Sequence, residues 1–87
     1  MKKNPIIDRR GNKRWYKGNR FKRHREDGPA IEFSDGDKSY YQNDLLHRED
    51  GPAIDWEDRK EWWYHGERIM VLTNKEFLRI IKLKSFW

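Results

Sequence analysis

The segment His24-Arg25-Glu26-Asp27-Gly28-Pro29-Ala30-Ile31 recurs unchanged as His47-Arg48-Glu49-Asp50-Gly51-Pro52-Ala53-Ile54, 23 residues further on. Chance does not return eight identical residues in a chain of 87, so the fold must use the same local structure at least twice. Each copy runs into an acidic and an aromatic residue (Glu32-Phe33, Asp55-Trp56), a polar turn, and an aromatic cluster, Tyr40-Tyr41 or Trp62-Trp63-Tyr64. Upstream, Asn4-Pro5-Ile6-Ile7-Asp8, the turn at Gly11-Asn12 and Trp15-Tyr16-Lys17-Gly18 read as a worn copy, making three units. A fixed period in the twenties is the signature of a stacked array.

Within a unit the local signals agree on two strands. Ile31 and Phe33 flank Glu32, and Ile54 and Trp56 flank Asp55, the period of two that places apolar residues on one face. Ser34-Asp35-Gly36-Asp37 supplies a turn with a glycine free to take positive φ, and the bulky aromatics that follow suit a pleated surface. The Asp-Gly-Pro of each motif is expected to close a unit with its glycine, Gly28 or Gly51, in a left-handed conformation and its proline starting the next strand. An array ending on a bare hairpin would leave an open edge and an apolar face. Thr73-Asn74-Lys75-Glu76 has capping-box spacing, Leu72 and Phe77 stand at hydrophobic-staple positions, and Phe77, Leu78, Ile80, Ile81 and Leu83 share one arc of a helical wheel. The expected architecture is mainly β: one domain over 1–87, with unit 1 at 4–27, unit 2 at 28–50 and unit 3 at 51–68, closed by an amphipathic capping helix at 73–84.

Composition bears on what fills the core. A domain this short buries only about 60% of the surface its unfolded chain exposes, and the chain has no cysteine for a disulfide or thiolate staple. It is 40% charged and 34% hydrophobic, but 15% aromatic, so Trp15, Tyr40, Trp56 and Trp62 are expected inside. Of the paired rings, alternation sends one in and one out, leaving Tyr41 and Trp63 partly exposed as partner-binding candidates. There is no run long enough to span a membrane and no signal-like apolar stretch after Met1-Lys2-Lys3, so a cytoplasmic location is expected.

The motif residues resemble those of small bacterial and phage proteins with tandem His-Arg-Glu-Asp-Gly-Pro-Ala repeats, themselves similar to the MORN repeat, over residues 4 to 68. The resemblance implies stacked β-hairpins and a non-catalytic, interaction-type role, often among phage accessory genes of unknown purpose. The function expected here is a small protein-binding module, a phage-type accessory factor that docks on and modulates a host protein. The chain departs from the MORN pattern in lacking several of its glycines.

His47 with Glu49 and Asp50 carries the groups of an acid–base or metal set. Duplication argues against that use, because an active site is needed once and a structural junction recurs at every junction. No catalytic residues, metal site, cofactor or small-molecule substrate are assigned. The charge is segregated along the chain: residues 1–25 carry +10, 26–67 carry −9 and 68–87 carry +4. Either the opposed blocks neutralise each other internally, or Arg9, Arg10, Lys13, Arg14, Lys17, Arg20, Lys22 and Arg23 present an anion-binding surface. The expected partner is a host protein with an acidic surface. The second reading is sequence-nonspecific nucleic-acid binding, with Trp15, Tyr16 and Phe21 stacking on bases.

Overall fold

The computed structural model describes residues 4–18 and 22–84. The chain forms antiparallel hairpins followed by a C-terminal helix. β1 (Ile6–Ile7), β2 (Lys13–Arg14), β5 (Ile31–Glu32), β6 (Lys38–Ser39), β9 (Ile54–Trp56), β10 (Arg59–Tyr64) and β11 (Glu67–Ile69) lie side by side in that order as a seven-stranded sheet. Two smaller hairpins branch from it, β3 (Tyr16–Lys17) with β4 (Lys22–Arg23), and β7 (Tyr41–Gln42) with β8 (Leu45–Leu46). All pairings are antiparallel between neighbours in the chain or in successive hairpins, a topology that short polar turns can connect.

The turn at Gly36 forms as the sequence predicts, with φ of 97°. The hairpin after each of the two later aromatic clusters, β7–β8 branching from the sheet and β10–β11 within it, was not anticipated. Its turns are Asn43-Asp44, with φ of 51° and 67°, and His65-Gly66, with φ of 48° and 80°. Two consecutive left-handed residues between directly paired flanks (Gln42 with Leu45, Tyr64 with Glu67) are what a tight two-residue hairpin needs to match strand twist.

The register organises both faces of the sheet. Ile6, Arg14, Ile31, Ser39, Ile54 and Glu61 oppose one another in one row, in which Ile31, Ser39 and Ile54 are buried together with Ala30 and Ala53. Ser39 accepts a hydrogen bond from the Trp56 indole at 3.1 Å, so this buried hydroxyl is satisfied. The adjacent row runs Ile7, Lys13, Glu32, Lys38, Asp55 and Lys60, alternating in sign from Lys13 onward. Opposite charges across neighbouring strands stabilise the pairing. Part of the segregation along the chain is therefore undone by the antiparallel course.

α1 (Asn74–Lys84) follows from its cap. The Glu76 amide donates to Thr73 Oγ1 at 3.2 Å, and the Thr73 hydroxyl and Leu72 amide donate to Glu76 Oε1. Phe77 is fully buried against Trp62 and Ile69, with Val71, Ile80 and Ile81 packed around them. The Trp62 indole donates to Asn74 Oδ1 at 2.7 Å, tying the last long strand to the first turn of the helix. The expected staple does not form: Leu72 is 88% exposed while Phe77 is fully buried, because Phe77 packs on Trp62 and Ile69. Leu78 and Leu83 are also exposed, so the packed stripe is narrower than the expected arc.

Two further expectations are corrected. Of Trp15, Tyr40, Trp56 and Trp62, only Trp62 is buried. Nor is the glycine of either motif in the left-handed region, whereas Gly11, Gly18, Gly36 and Gly66 are. Arg25 and Arg48 account for Trp15, Tyr40 and the two glycines alike, lying over those rings and against Gly28 and Gly51.

Candidate functional site

Each motif arginine folds back over its own loop. Arg25 donates from Nε to Asp27 Oδ1 at 3.0 Å and from Nη1 to the Pro29 carbonyl at 3.3 Å. Arg48 does the same to Asp50 at 2.9 Å and Pro52 at 3.1 Å. The guanidinium carbons lie 3.8 Å from the centroid of the Trp15 ring and 4.0 Å from that of Tyr40. These rings are thus lidded by cations whose polar edges are bonded elsewhere. A Cβ on Gly28 or Gly51 would lie 3.0 or 2.9 Å from the guanidinium carbon, so both glycines serve space and not backbone angle.

The histidines also repeat one contact. His24 Nδ1 accepts from the Asn43 amide at 2.9 Å and His47 Nδ1 from the His65 amide at 2.8 Å, each supporting the tight turn of a small hairpin. His47 is buried, and burial first and His65 second push its pKa below the usual value. Its ring stacks on His65 at 4.1 Å between centroids. A groove of about 500 Å³ lies between the two motif loops, with Arg25, Asp27, His47, Arg48 and Asp50 in its wall. These wall groups are spent on one another and on the backbone. Among the described residues no group of three His, Asp or Glu side chains is arranged to hold a metal ion.

The basic first unit divides into tied and untied cations. Asp8 organises the β1–β2 turn: Oδ1 accepts from the Arg10 and Asn12 amides, and Oδ2 accepts from Asn12 Nδ2 and from Arg14 Nη1 at 2.8 Å. The bond from Arg14 is the main cause holding the Asp8 carboxyl well below the usual carboxylate range. Arg23 donates to Asp44 Oδ1 at 2.7 Å and to the Tyr41 hydroxyl at 3.1 Å, and each member of the Arg23–Asp44 pair shifts the other toward its charged form. Lys17 donates to Asn43 Oδ1 at 2.7 Å. Arg14, Lys17 and Arg23 are therefore engaged inside the molecule.

Arg9, Arg10 and Lys13 are exposed and form no ion pair among the described residues. Arg20 lies outside the described residues. Tyr41 is half-buried with the Arg23 guanidinium 4.2 Å above its ring, and Trp63 is half-buried with its indole donating to Glu61 Oε1 at 3.0 Å. Strands β5, β6 and β9 separate β2 from β10, so Trp63 does not join the untied cations. What does join them was missed in the sequence: Ile6 and Ile7, 52% and 59% exposed, on the edge strand next to Arg9, Arg10 and Lys13. Comparison with family models, with curated proteins and with solved structures finds no match to this chain. Among the described residues no helix is long and apolar enough to cross a membrane.

Proposed function

We propose that this protein is a non-enzymatic binding module whose β1–β2 hairpin docks on an acidic surface of another protein. The observation that carries the reading is the combination at this hairpin of two exposed isoleucines with Arg9 and Arg10, which form no ion pair among the described residues, and with Lys13, which is exposed and has only Glu32 opposite it across the strands. By contrast Arg14 on the same hairpin, and Arg23, Arg25, Arg48, Lys60 and Lys84 elsewhere, each face a carboxylate. An edge strand with an exposed apolar side chain on each face and cations beside it suits a protein partner, where apolar contact supplies affinity and the charges supply orientation and on-rate. The resemblance of the repeats to phage accessory proteins is consistent with an interaction role, and a host protein is the target we propose. Nucleic acid is the weaker reading, because Arg25 covers one face of Trp15 and Arg23 one face of Tyr41, leaving less ring surface for bases.

The test is capture of partners from bacterial lysate by the wild-type chain and by Arg9→Glu/Arg10→Glu/Lys13→Glu, with and without nuclease. A partner retained after nuclease and lost on charge reversal is expected. Capture that nuclease abolishes, or salt-sensitive micromolar binding to random oligonucleotides at about 150 mM salt, replaces the protein reading with the nucleic-acid one.

A further inference from the structure

The two ends of the seven-stranded sheet are treated differently. The β11 end packs Ile69 under α1 through Phe77, and Glu67 pairs with Lys84 of the helix at 3.2 Å. The β1 end leaves Ile6 and Ile7 exposed. Ile6 opposes Arg14 on the face that buries Ile31 and Ile54, so a further strand beside β1 would set a side chain against exposed Ile6 on that face.

The backbone of β1 is directed for such pairing. The Asp8 amide donates to the Asn12 carbonyl at 3.0 Å, making these residues a hydrogen-bonded pair. Antiparallel alternation then makes Ile6–Arg14 a bonded pair and Ile7–Lys13 a non-bonded one. The Trp15 amide, which donates to the Ala30 carbonyl at 2.8 Å, agrees with this phase, since it turns Lys13 toward β5. The N–H and C=O of Ile7 therefore point away from β2 into the open edge. Pro5, two residues earlier, points the same way with a carbonyl and no donor.

We infer that β1 takes up an extended acidic segment of the partner protein as an added strand, through the backbone of Ile7, the side chains of Ile6 and Ile7, and the cations Arg9, Arg10 and Lys13. The inference rests on the acidic-partner reading above and says how that partner is held. Charge selects the occupant. A second copy of this edge would bring the same net positive charge to it, and cations at an edge are a common device against self-pairing. A strand carrying carboxylates meets no such repulsion. Backbone pairing then gives affinity, and the alternate side chains give selectivity.

The probe is a synthetic peptide of alternating aspartate and valine, compared with the same peptide N-methylated at alternate amides and with an alternating threonine–valine peptide. Binding is followed by NMR with amide exchange on the intact chain. The acidic peptide is expected to bind and to slow exchange at Ile7 about tenfold. N-methylation on the pairing edge should weaken it about tenfold. Ile7→Pro, which removes the outward donor and leaves the Ile6–Arg14 bonds, should do likewise, with the amide spectrum of the rest of the sheet reporting that the variant is folded. Equal binding of the N-methylated peptide overturns strand addition while leaving the acidic-surface reading intact. Equal binding of the threonine–valine peptide overturns the acidic occupant and with it the proposed function. Protection at β11 in place of Ile7, concentration-dependent self-association through Ile7, or no binding of any peptide each overturns the assignment of this edge.

Discussion

Alanine in place of Gly51 isolates the role of the arginine lid. The new Cβ would sit 2.9 Å from Arg48 Cζ, 3.0 Å from Nη1 and 3.2 Å from Nε, closer than van der Waals contact allows. The guanidinium is the far end of a flexible side chain, so it moves and the backbone stays. What is lost is the bond to the Pro52 carbonyl, worth about 1 kcal/mol, the stacking on Tyr40, worth about 0.5–1 kcal/mol, and a small contribution from exposed Asp50. Because φ at Gly51 is outside the left-handed region, alanine also gains about 0.4–1 kcal/mol by restricting the unfolded chain. The net cost is about 1 kcal/mol, a fall in Tm of roughly 4–8 °C for a domain of this size. The assay is thermal unfolding followed by tryptophan fluorescence for G51A, R48A and the double variant. In the R48A background the alanine should be neutral or stabilising, giving a coupling of about 1.5–2 kcal/mol. An equal cost of G51A in both backgrounds would refute the reasoning and return the cause to backbone conformation.

Acidification should loosen the junction at His47, whose Nδ1 must stay unprotonated to accept from His65. With its folded pKa held below the ordinary 6.5, the unfolded chain takes a proton the folded one refuses, so this contribution is intact above about pH 6.5 and falls as pH drops through that value. Comparing Tm at pH 7.5 and 5.5 for wild type and His47→Asn checks it, and the variant's pH dependence should be shallower. Phe77→Ala should cost about 3–5 kcal/mol, since the side chain is fully buried between Trp62 and Ile69. Circular dichroism melts should show a large loss of cooperativity, and a variant melting within a few degrees of wild type would make α1 an appendage.

The hairpins were legible where a signal spans enough residues: Ile31-Glu32-Phe33 and Ile54-Asp55-Trp56 alternate around turns of recognisable chemistry, and Thr73 and Glu76 announce the helix. The small hairpins were harder to see because β7 and β8 have two residues each, too few for a period. Their turns carried the signal instead. Asn43-Asp44 and His65-Gly66 both follow an aromatic cluster, and both pairs tolerate left-handed φ. The candidate site was half legible. Block charge identified Arg9, Arg10 and Lys13, but summing along the chain could not foresee that Lys13, Glu32, Lys38, Asp55 and Lys60 alternate across strands, or that Arg14 and Arg23 have carboxylates of their own. The exposed isoleucines at the edge drew no attention, since alternation alone cannot tell an edge strand from a central one.

The eight motif residues return unchanged, and all but the exposed glutamates, Glu26 and Glu49, have a duty that a neighbouring contact enforces. The arginine needs an aspartate two positions on for Nε, a side chain of zero size at the glycine, the proline carbonyl for Nη1, and a ring beneath it. The histidine holds the next small turn, and the alanine and isoleucine fill the buried row, where Ala30 and Ala53 are wholly inaccessible. A flat cation over a ring shields apolar surface while its N–H groups stay bonded, which lets a chain with few aliphatic residues cover Trp15 and Tyr40 without a deep core. The histidines, arginines and aspartates of the motifs are thereby bonded within the fold. The binding role proposed above therefore falls to residues that this scheme does not use, and at the β1 edge those are Ile6, Ile7, Arg9, Arg10 and Lys13.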